Sequence, residues 1–455
     1  MKRKITVSFV FLIVVMVTAV FSLIGCNAPA ESSTIESAET SISETTAKGE
    51  ESTATTEAKQ NEEKITLRYT SLRTEDVDAI NRINAEFTKA YPNIEIKFEP
   101  IKNTEYDAAL KTSLETKTGA DIVMLRSFDG GRQIYDGGYL LELNDLIPNL
   151  SSDFTSNSLS AWTTEDGKTY GVPYFGSIDA VWYNKSIFNK YNLSEPETWD
   201  ELLSICQTLK DNGETVFAHG TKDTWVLTET LYCDLGPNFY GGEESRLSLI
   251  NKKIKFTDPR FIYAFDKLAE LIPYFPKGYE GIDYVTMQQM FLNEQAAMWI
   301  GGSWELGIIN EAGIDAGWFA PPVEKKGDTI HYAFYADLAL GINKDTPYKD
   351  ACVKYLQWVA TPEHASLLAN ELPGMYPPLT VEYKINDELA QKIIDISRMD
   401  NVKVTGQLMW EKLSSQEPSG NSLLNEASQK FFNKKITSKE AVEYVQKGLD
   451  TWYFK

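Results

Sequence analysis

Histidine and cysteine are the scarcest chemistry-bearing residues of this 455-residue chain: His219, His331 and His364 are its three histidines, and there are four cysteines. They show neither HExxH nor CxxC spacing, so no metal site is expected, and the sequence calls for no cofactor. A GxxxxGK[ST] phosphate loop and a GxSxG nucleophile elbow are also missing, and the chain has no internal repeat. Positive charge is short as well. Lys and Arg number 44 against 65 Asp and Glu, a net charge of -21. Nucleic acid and anionic lipid surfaces both need a basic face, so neither is an expected partner. With Cys26 set apart for the reason given next, Cys206, Cys233 and Cys352 remain, an odd number for a disulfide framework. Cys206 and Cys352 fall on apolar faces of expected helices, where buried free thiols are the natural state.

What is present begins at the first residue. Met1-Lys2-Arg3-Lys4 precedes an apolar run from Val7 to Ile24, which ends in Leu23-Ile24-Gly25-Cys26. A basic end, an apolar stretch and small residues before a cysteine form the pattern of a bacterial lipoprotein signal, cleaved before Cys26 to leave a lipidated N-terminus. An uncleaved anchor with an incidental Cys26 is the alternative. Either way the body is expected on the extracellular face of the cell membrane. From Asn27 to Glu63 the chain is Ser, Thr, Glu and Ala, with nine Glu against two Lys and only Ile35 and Ile42 as large apolar residues. Such a segment cannot bury enough surface to offset its conformational entropy, and self-repulsion extends it. It reads as a disordered spacer of a length suited to a thick, Gram-positive wall.

The remaining body, residues 64–455, is too long for one core, so two are expected. Residues 65–73 alternate as a strand, and Val77, Ile80, Ile83 and Phe87 recur at helical spacing. Ile94–Phe98 reads as a second strand, 104–116 as a helix and Asp121–Leu125 as a continuous apolar strand. This β-α-β-α-β order implies a parallel sheet covered by helices, with ligands beyond the carboxyl ends of its strands. A second α/β block follows. Ala180–Asn184, Val216–Gly220, Ala296–Ile300 and Asp337–Asn343 read as strands. Thr198-Trp199-Asp200-Glu201 is a capping box, Pro259–Leu271 and Val285–Asn293 read as helices, and Tyr348–Glu371 as a helix pair broken at Thr361-Pro362. The C-terminal part is expected to be all helix.

Several runs, in order, resemble extracellular solute-binding proteins of the maltose-binding type. They are Asp121–Leu125 with Gly138–Leu143, Gly167–Pro173 leading into Trp182–Lys185, Pro196–Leu202, Ala296–Trp304 and Gly341–Lys344. Together they span nearly the whole mature body. The resemblance implies a two-lobed, type II periplasmic-binding-protein-like α/β fold, each lobe a sheet flanked by helices, with the ligand in the cleft between. On that pattern the hinge is crossed near Pro173, Asp337 and Tyr376. The N-lobe is then 64–173 with 337–375, and the C-lobe 174–336 with 376–455. The resemblance also implies the permease subunits of an ABC importer as partners, a monomer, and no enzymatic step.

A sugar presents apolar C–H faces and hydroxyls, so its site needs flat aromatic rings plus charged or amide groups. Trp304, after Gly301-Gly302-Ser303, is the foremost platform, and the family pattern places a stacking aromatic there. Trp225 resembles a ligand-contacting position, and Trp410 is a later platform. Arg73, Arg126 and Asp129 stand at strand ends of the first block. Tyr174, Ser177 and Asp179 follow a hinge crossing, and Tyr376 lies at another. Leu125 replaces an aromatic of the maltose-type pattern, which counts against a maltodextrin. Trp162, Trp182, Trp199, Trp299, Trp318, Trp358 and Trp452 are assigned to packing. The expected function is capture of an extracellular sugar or oligosaccharide for import. Alternatives are a non-sugar solute (polyamine, metal chelate or phosphorylated compound), for which Asp129, Asp179 and Glu305 would suit a cation, a lipid-anchored glycoside hydrolase needing two paired carboxylates, and a purely structural surface protein.

Overall fold

The computed structural model describes residues 63–455, so the leader, Cys26 and the spacer lie outside the described residues. Strands β1 (Ile65–Ser71), β2 (Ile94–Pro100) and β3 (Ile122–Arg126) are parallel, and helices α1 (Val77–Ala90) and α2 (Asn103–Glu115) connect them. The cause is local. Ile80, Ile83 and Phe87 form one buried stripe of α1, while Leu67 and Tyr69 of β1 point into the same core. Helix α3 (Asp129–Asp136) follows β3 directly.

Two long strands then run through the molecule: β4 (Val172–Asn184) and β7 (Ile330–Ile342), antiparallel to each other. The sheet order is β2-β1-β3-β7-β4, closed by β5 (Met298–Gly302). Strand β6 (Ala316–Phe319) also pairs with β4, and β8 (Val402–Thr405) pairs with β7. Each long strand passes from one core to another, and the far half of β4 also sends Val181 and Tyr183 into a further cluster on its other face. Val172, Tyr174 and Phe175 with Leu338, Leu340 and Ile342 pack on β1–β3. Beyond them, Ile178, Ala180 and Trp182 with Tyr332 pack in a different cluster around Trp299, Trp318 and Phe291. The side chains therefore change cores near Gly176 and Tyr335. A third segment crosses beside them: Gly176 and Tyr376 exchange both backbone hydrogen bonds, at 2.8 and 3.0 Å.

These crossings demand small residues. A Cβ at Gly176 would lie 2.5 Å from the Tyr335 carbonyl oxygen. Gly374 has φ +88° and sits against the Ser303 backbone, so a methyl group there would collide with it. Ser303 closes the knot, its hydroxyl donating to the Gly374 carbonyl (2.6 Å) and accepting from the Ile178 amide (3.1 Å). Gly374→Ala adds left-handed backbone strain to overpacking and is expected to cost about 2–4 kcal/mol; thermal unfolding measures it, and an unchanged melting temperature would show that the three crossings move apart freely.

The structure departs from the sequence reading in particular places. Val216–Gly220 is no strand but a single parallel bridge of Phe217 to Met298, because the chain turns away at Gly220 under Ile282. The C-terminal part is not all helix: β8 pairs in parallel with Ile330–Ala333 of β7. Residues 377–386, assigned to the C-lobe, run along the first core. There Leu379 packs on it, the Thr380 amide donates to the Asp153 carbonyl (2.9 Å), and the Lys384 amide to Ser366 Oγ (2.9 Å). The cysteines behave as expected, Cys206, Cys233 and Cys352 being buried and unpaired, and Trp162, Trp182, Trp199, Trp299 and Trp318 are fully buried. Among the described residues no helix is long and apolar enough to cross a membrane, and no group of His, Cys, Asp and Glu could hold a metal.

Candidate functional site

A cavity of about 880 Å³ opens beside the crossings. Its floor is Ser177, Tyr335 and Asp337 of β4 and β7. One wall is Arg73, after β1, with the turn from Arg126 to Gly130 that joins β3 to α3. The opposite wall carries Trp225, Glu229, Tyr284, Trp304 and Glu305, and Trp410 stands with Glu411 at the side. A smaller cavity of about 420 Å³ lies on the far side of Arg126, between α2 and α3.

The aromatic rings form two groups. Trp225 meets Tyr284 edge-on (4.7 Å between centroids, 62°) and Trp304 at 6.5 Å and 47°. The Trp304 indole N–H donates to Tyr284 Oη (2.7 Å) and Glu305 Oε1 (2.8 Å), fixing its rotamer. Gly302 makes this possible, since a Cβ there would occupy the space of the indole ring. Trp410 stands edge-on to Tyr335 (5.0 Å, 77°) and to Phe128 (6.2 Å, 65°). Phe128 holds φ +51°, a backbone conformation costly for a residue with a side chain; it presents the ring at the head of α3.

The charges are unevenly matched. Arg73 pairs with Asp76 and with Glu75 (3.3 Å), and its guanidinium lies 5.7 Å over the Phe175 ring. Arg126 bonds Asp107 (3.0 Å) and Asn103 Oδ1 (2.6 Å). Glu229 and Asp337 receive no side-chain hydrogen bond or ion pair from the described residues. Burial, aided by the Asp337 charge, pushes the Glu229 carboxyl up from 4.5 to about 8. Burial also raises Asp337, against the pull of Arg73 and Arg126, and raises Glu305 and Asp179. At Glu229 the native state thus binds more of its proton than the unfolded chain does between pH 4.5 and 8. The contribution of Glu229 to stability therefore falls as pH rises through that window, opposite in sign to that of His219 and His364, which burial lowers to about 3. Glu229→Gln is expected to make the change in melting temperature from pH 5 to 8 more positive than in the parent; an identical pH dependence in the variant would acquit Glu229.

Seven residues singled out from the sequence lie on the cavity wall: Arg73, Arg126, Asp129, Ser177, Trp225, Trp304 and Trp410. Three do not reach it, which corrects their expected placement. Tyr174 is buried in the first core, tilted on His364 at 5.5 Å. Asp179 is fully buried behind Tyr335, whose hydroxyl donates to it at 3.2 Å. Tyr376 is buried in the second core, donating to the Ala390 carbonyl (2.9 Å). Sequence reasoning missed Glu229, Tyr284, Tyr335 and Asp337. Glu229 did leave a signal, as the one charged residue of Val226–Tyr232, a widened helical turn with i→i+5 bonding of the kind common at functional sites.

Two α/β bodies, three adjacent crossings between them and an aromatic, charged cavity alongside define a two-lobed binding-protein fold. The chain belongs to the bacterial extracellular solute-binding protein family, whose model matches residues 71–366. It is 25% identical over 319 residues to the multiple sugar-binding protein of Streptococcus mutans, covering 66% of this chain and 72% of that one. An uncharacterized ABC transporter extracellular-binding protein of Pyrococcus horikoshii is 26% identical over 248 residues, which are 52% of this chain and 56% of that protein's length. Among solved structures, a chitin oligosaccharide binding protein superposes with a TM-score of 0.70 at 22% identity, covering 85% of this chain and 98% of the other. These relatives are binding proteins.

Proposed function

We propose that this chain is the substrate-binding component of an ABC importer, and that it captures an extracellular sugar or oligosaccharide by closure of two lobes. The N-lobe comprises 64–173 and 337–375 and the C-lobe 174–336 and 376–455, with the 377–386 strap lying on the N-lobe. The observation that carries the reading is the cavity itself: Trp304, Trp225 and Trp410 beside Arg73, Arg126 and Asp129 in one space. Rings take the C–H faces of a pyranose, and charged groups bond its hydroxyls. A ligand touching both lobes favours the closed form through its differential contacts. Micromolar binding corresponds to about -8 kcal/mol, within the range of a few such contacts. No covalent step is involved. The leader and Cys26 support a lipid-anchored monomer on the outer face of a Gram-positive membrane, feeding its permease. The sugar-binding relative and the chitin-oligosaccharide-binding structure support the ligand class.

Titration calorimetry with a panel of plant, storage and chitin-derived oligosaccharides tests this. Saturable binding with recovery of intact sugar is the expected result. Binding confined to non-carbohydrate solutes, or release of new reducing ends, would remove the reading.

A further inference from the structure

Resting on that reading, we propose that the captured sugar carries a protonated amine, seated between Glu229 and Asp337 and the rings of Trp225, Tyr284 and Trp304. The first argument is charge balance. Both guanidiniums at the cavity are already committed, Arg73 to Asp76 and Glu75, and Arg126 to Asp107. Glu411 is likewise spent on Arg246 (2.6 Å). Glu229 and Asp337 face the same space with no cation and no hydrogen-bond donor from the described residues. A neutral ligand that covered them would withdraw two unpartnered acidic groups from water, a cost to their ionised forms that hydroxyl contacts offset only in part. An ammonium offsets it by charge-assisted hydrogen bonds.

The second observation is independent of charge. Ser177 is 2% exposed, lines this cavity, and its hydroxyl makes no hydrogen bond to the described residues. A buried hydroxyl left open in this way awaits a polar ligand atom beside the two carboxylates. The third is ring geometry. Trp225 stands at 62° to Tyr284 and 47° to Trp304. Packed on one another in this way, the three rings bring aromatic surface at differing inclinations to the cavity that Glu229 lines, and an aromatic face attracts a cation.

The charged groups that act on Glu229 are Asp337 of β7, which raises it, and Arg126 of β3, which lowers it, with Asp179 of β4 behind the Tyr335 ring. Burial and the Asp337 charge raise Glu229 to about 8, and a cation seated beside it favours the ionised form and releases the proton.

Calorimetry of the protein with glucosamine oligomers, their N-acetylated counterparts of equal length, maltotriose and spermidine decides the matter. Glucosamine oligomers should bind at least about tenfold tighter than the acetylated series. Raising salt to roughly 0.5 M should shrink that margin. The heat should vary with the buffer's ionisation enthalpy at pH 7, reporting proton release. Glu229→Gln and Asp337→Asn should each erase the preference while melting as cooperatively as the parent. Equal or tighter binding of acetylated or neutral oligosaccharides would overturn the amine while leaving the carbohydrate reading intact. Binding of none of the four probes would likewise overturn the amine, and binding of spermidine with no sugar in this set or in the wider oligosaccharide panel would overturn both. A preference retained in both variants would clear these carboxylates and end the proposal.

Discussion

Trp304→Ala is expected to weaken carbohydrate binding by about two to three orders of magnitude, roughly 3–4 kcal/mol. The indole is one of three on the cavity wall, and its position is fixed before any ligand arrives. Its N–H is bonded to Tyr284 and Glu305, and Gly302 leaves the ring its space. Little of the binding energy is then spent on ordering the ring. Truncation removes the stacking surface. It also takes a donor from Glu305, a buried carboxylate left with the Gln288 amide (3.0 Å) as its remaining partner. A companion variant separates those effects. Gly302→Ala keeps the indole but puts a methyl group where the ring lies, so affinity should fall although no aromatic is lost. Calorimetry on both, below the melting temperature of each, gives the answer. Unchanged affinity in Trp304→Ala would take this residue out of the ligand site.

The parts of the fold legible in the sequence are those with one buried face. Strand β1 alternates and α1 carries a stripe because each has solvent on one side. Strand β4 is different. All of its residues are buried, and Pro173, Gly176 and Asp179 within Val172–Asn184 read as breaks, so only its second half was recognisable. Gly176 is there because another backbone passes within contact distance, a tertiary demand that no local pattern announces. The first half of β7 was hidden in the same way: His331 and the aromatic residues after it mask a strand that is held by β4 and β8.

The site divides along a similar line. Trp304 could be found because it follows Gly301-Gly302-Ser303 at an expected helix start, where the family pattern places a stacking aromatic. Ser177 and Asp179 share one face of β4 by alternation, yet Ser177 reaches the cavity and Asp179 does not, because the Tyr335 ring from β7 closes over it. Only the pairing of two distant strands separates them. Glu229 and Asp337 are two carboxylates among 65 acidic residues, and what distinguishes them is the lack of a partner on the wall of a cavity shared with three tryptophans. That property belongs to the assembled molecule.

Arg246→Met is expected to cost about 3–5 kcal/mol of stability. The side chain of Arg246 is 3% exposed; it bonds Glu243 with two nitrogens (both 2.7 Å) and Glu411 with a third (2.6 Å). Methionine approximates its volume, so packing survives while two carboxylates lose their countercharge in a confined space. Glu243 also accepts from the Gly406 amide (3.1 Å) and Thr405 Oγ1 (3.3 Å), which anchors the segment leading to Trp410. Glu411, held at φ +60°, follows Trp410 directly and lines the cavity. Loss of Arg246 should therefore lower the melting temperature by about 4–6 °C. It should also weaken ligand binding in the molecules that remain folded, because the Trp410 ring is freed from its edge-on seat against Tyr335. Adding Glu243→Gln to the variant should restore part of the stability, since it removes one of the stranded charges, and the double-mutant cycle isolates that coupling. Strict additivity of the two changes would mean that water, and not Arg246, balances Glu243, and that Trp410 is positioned by its aromatic neighbours alone.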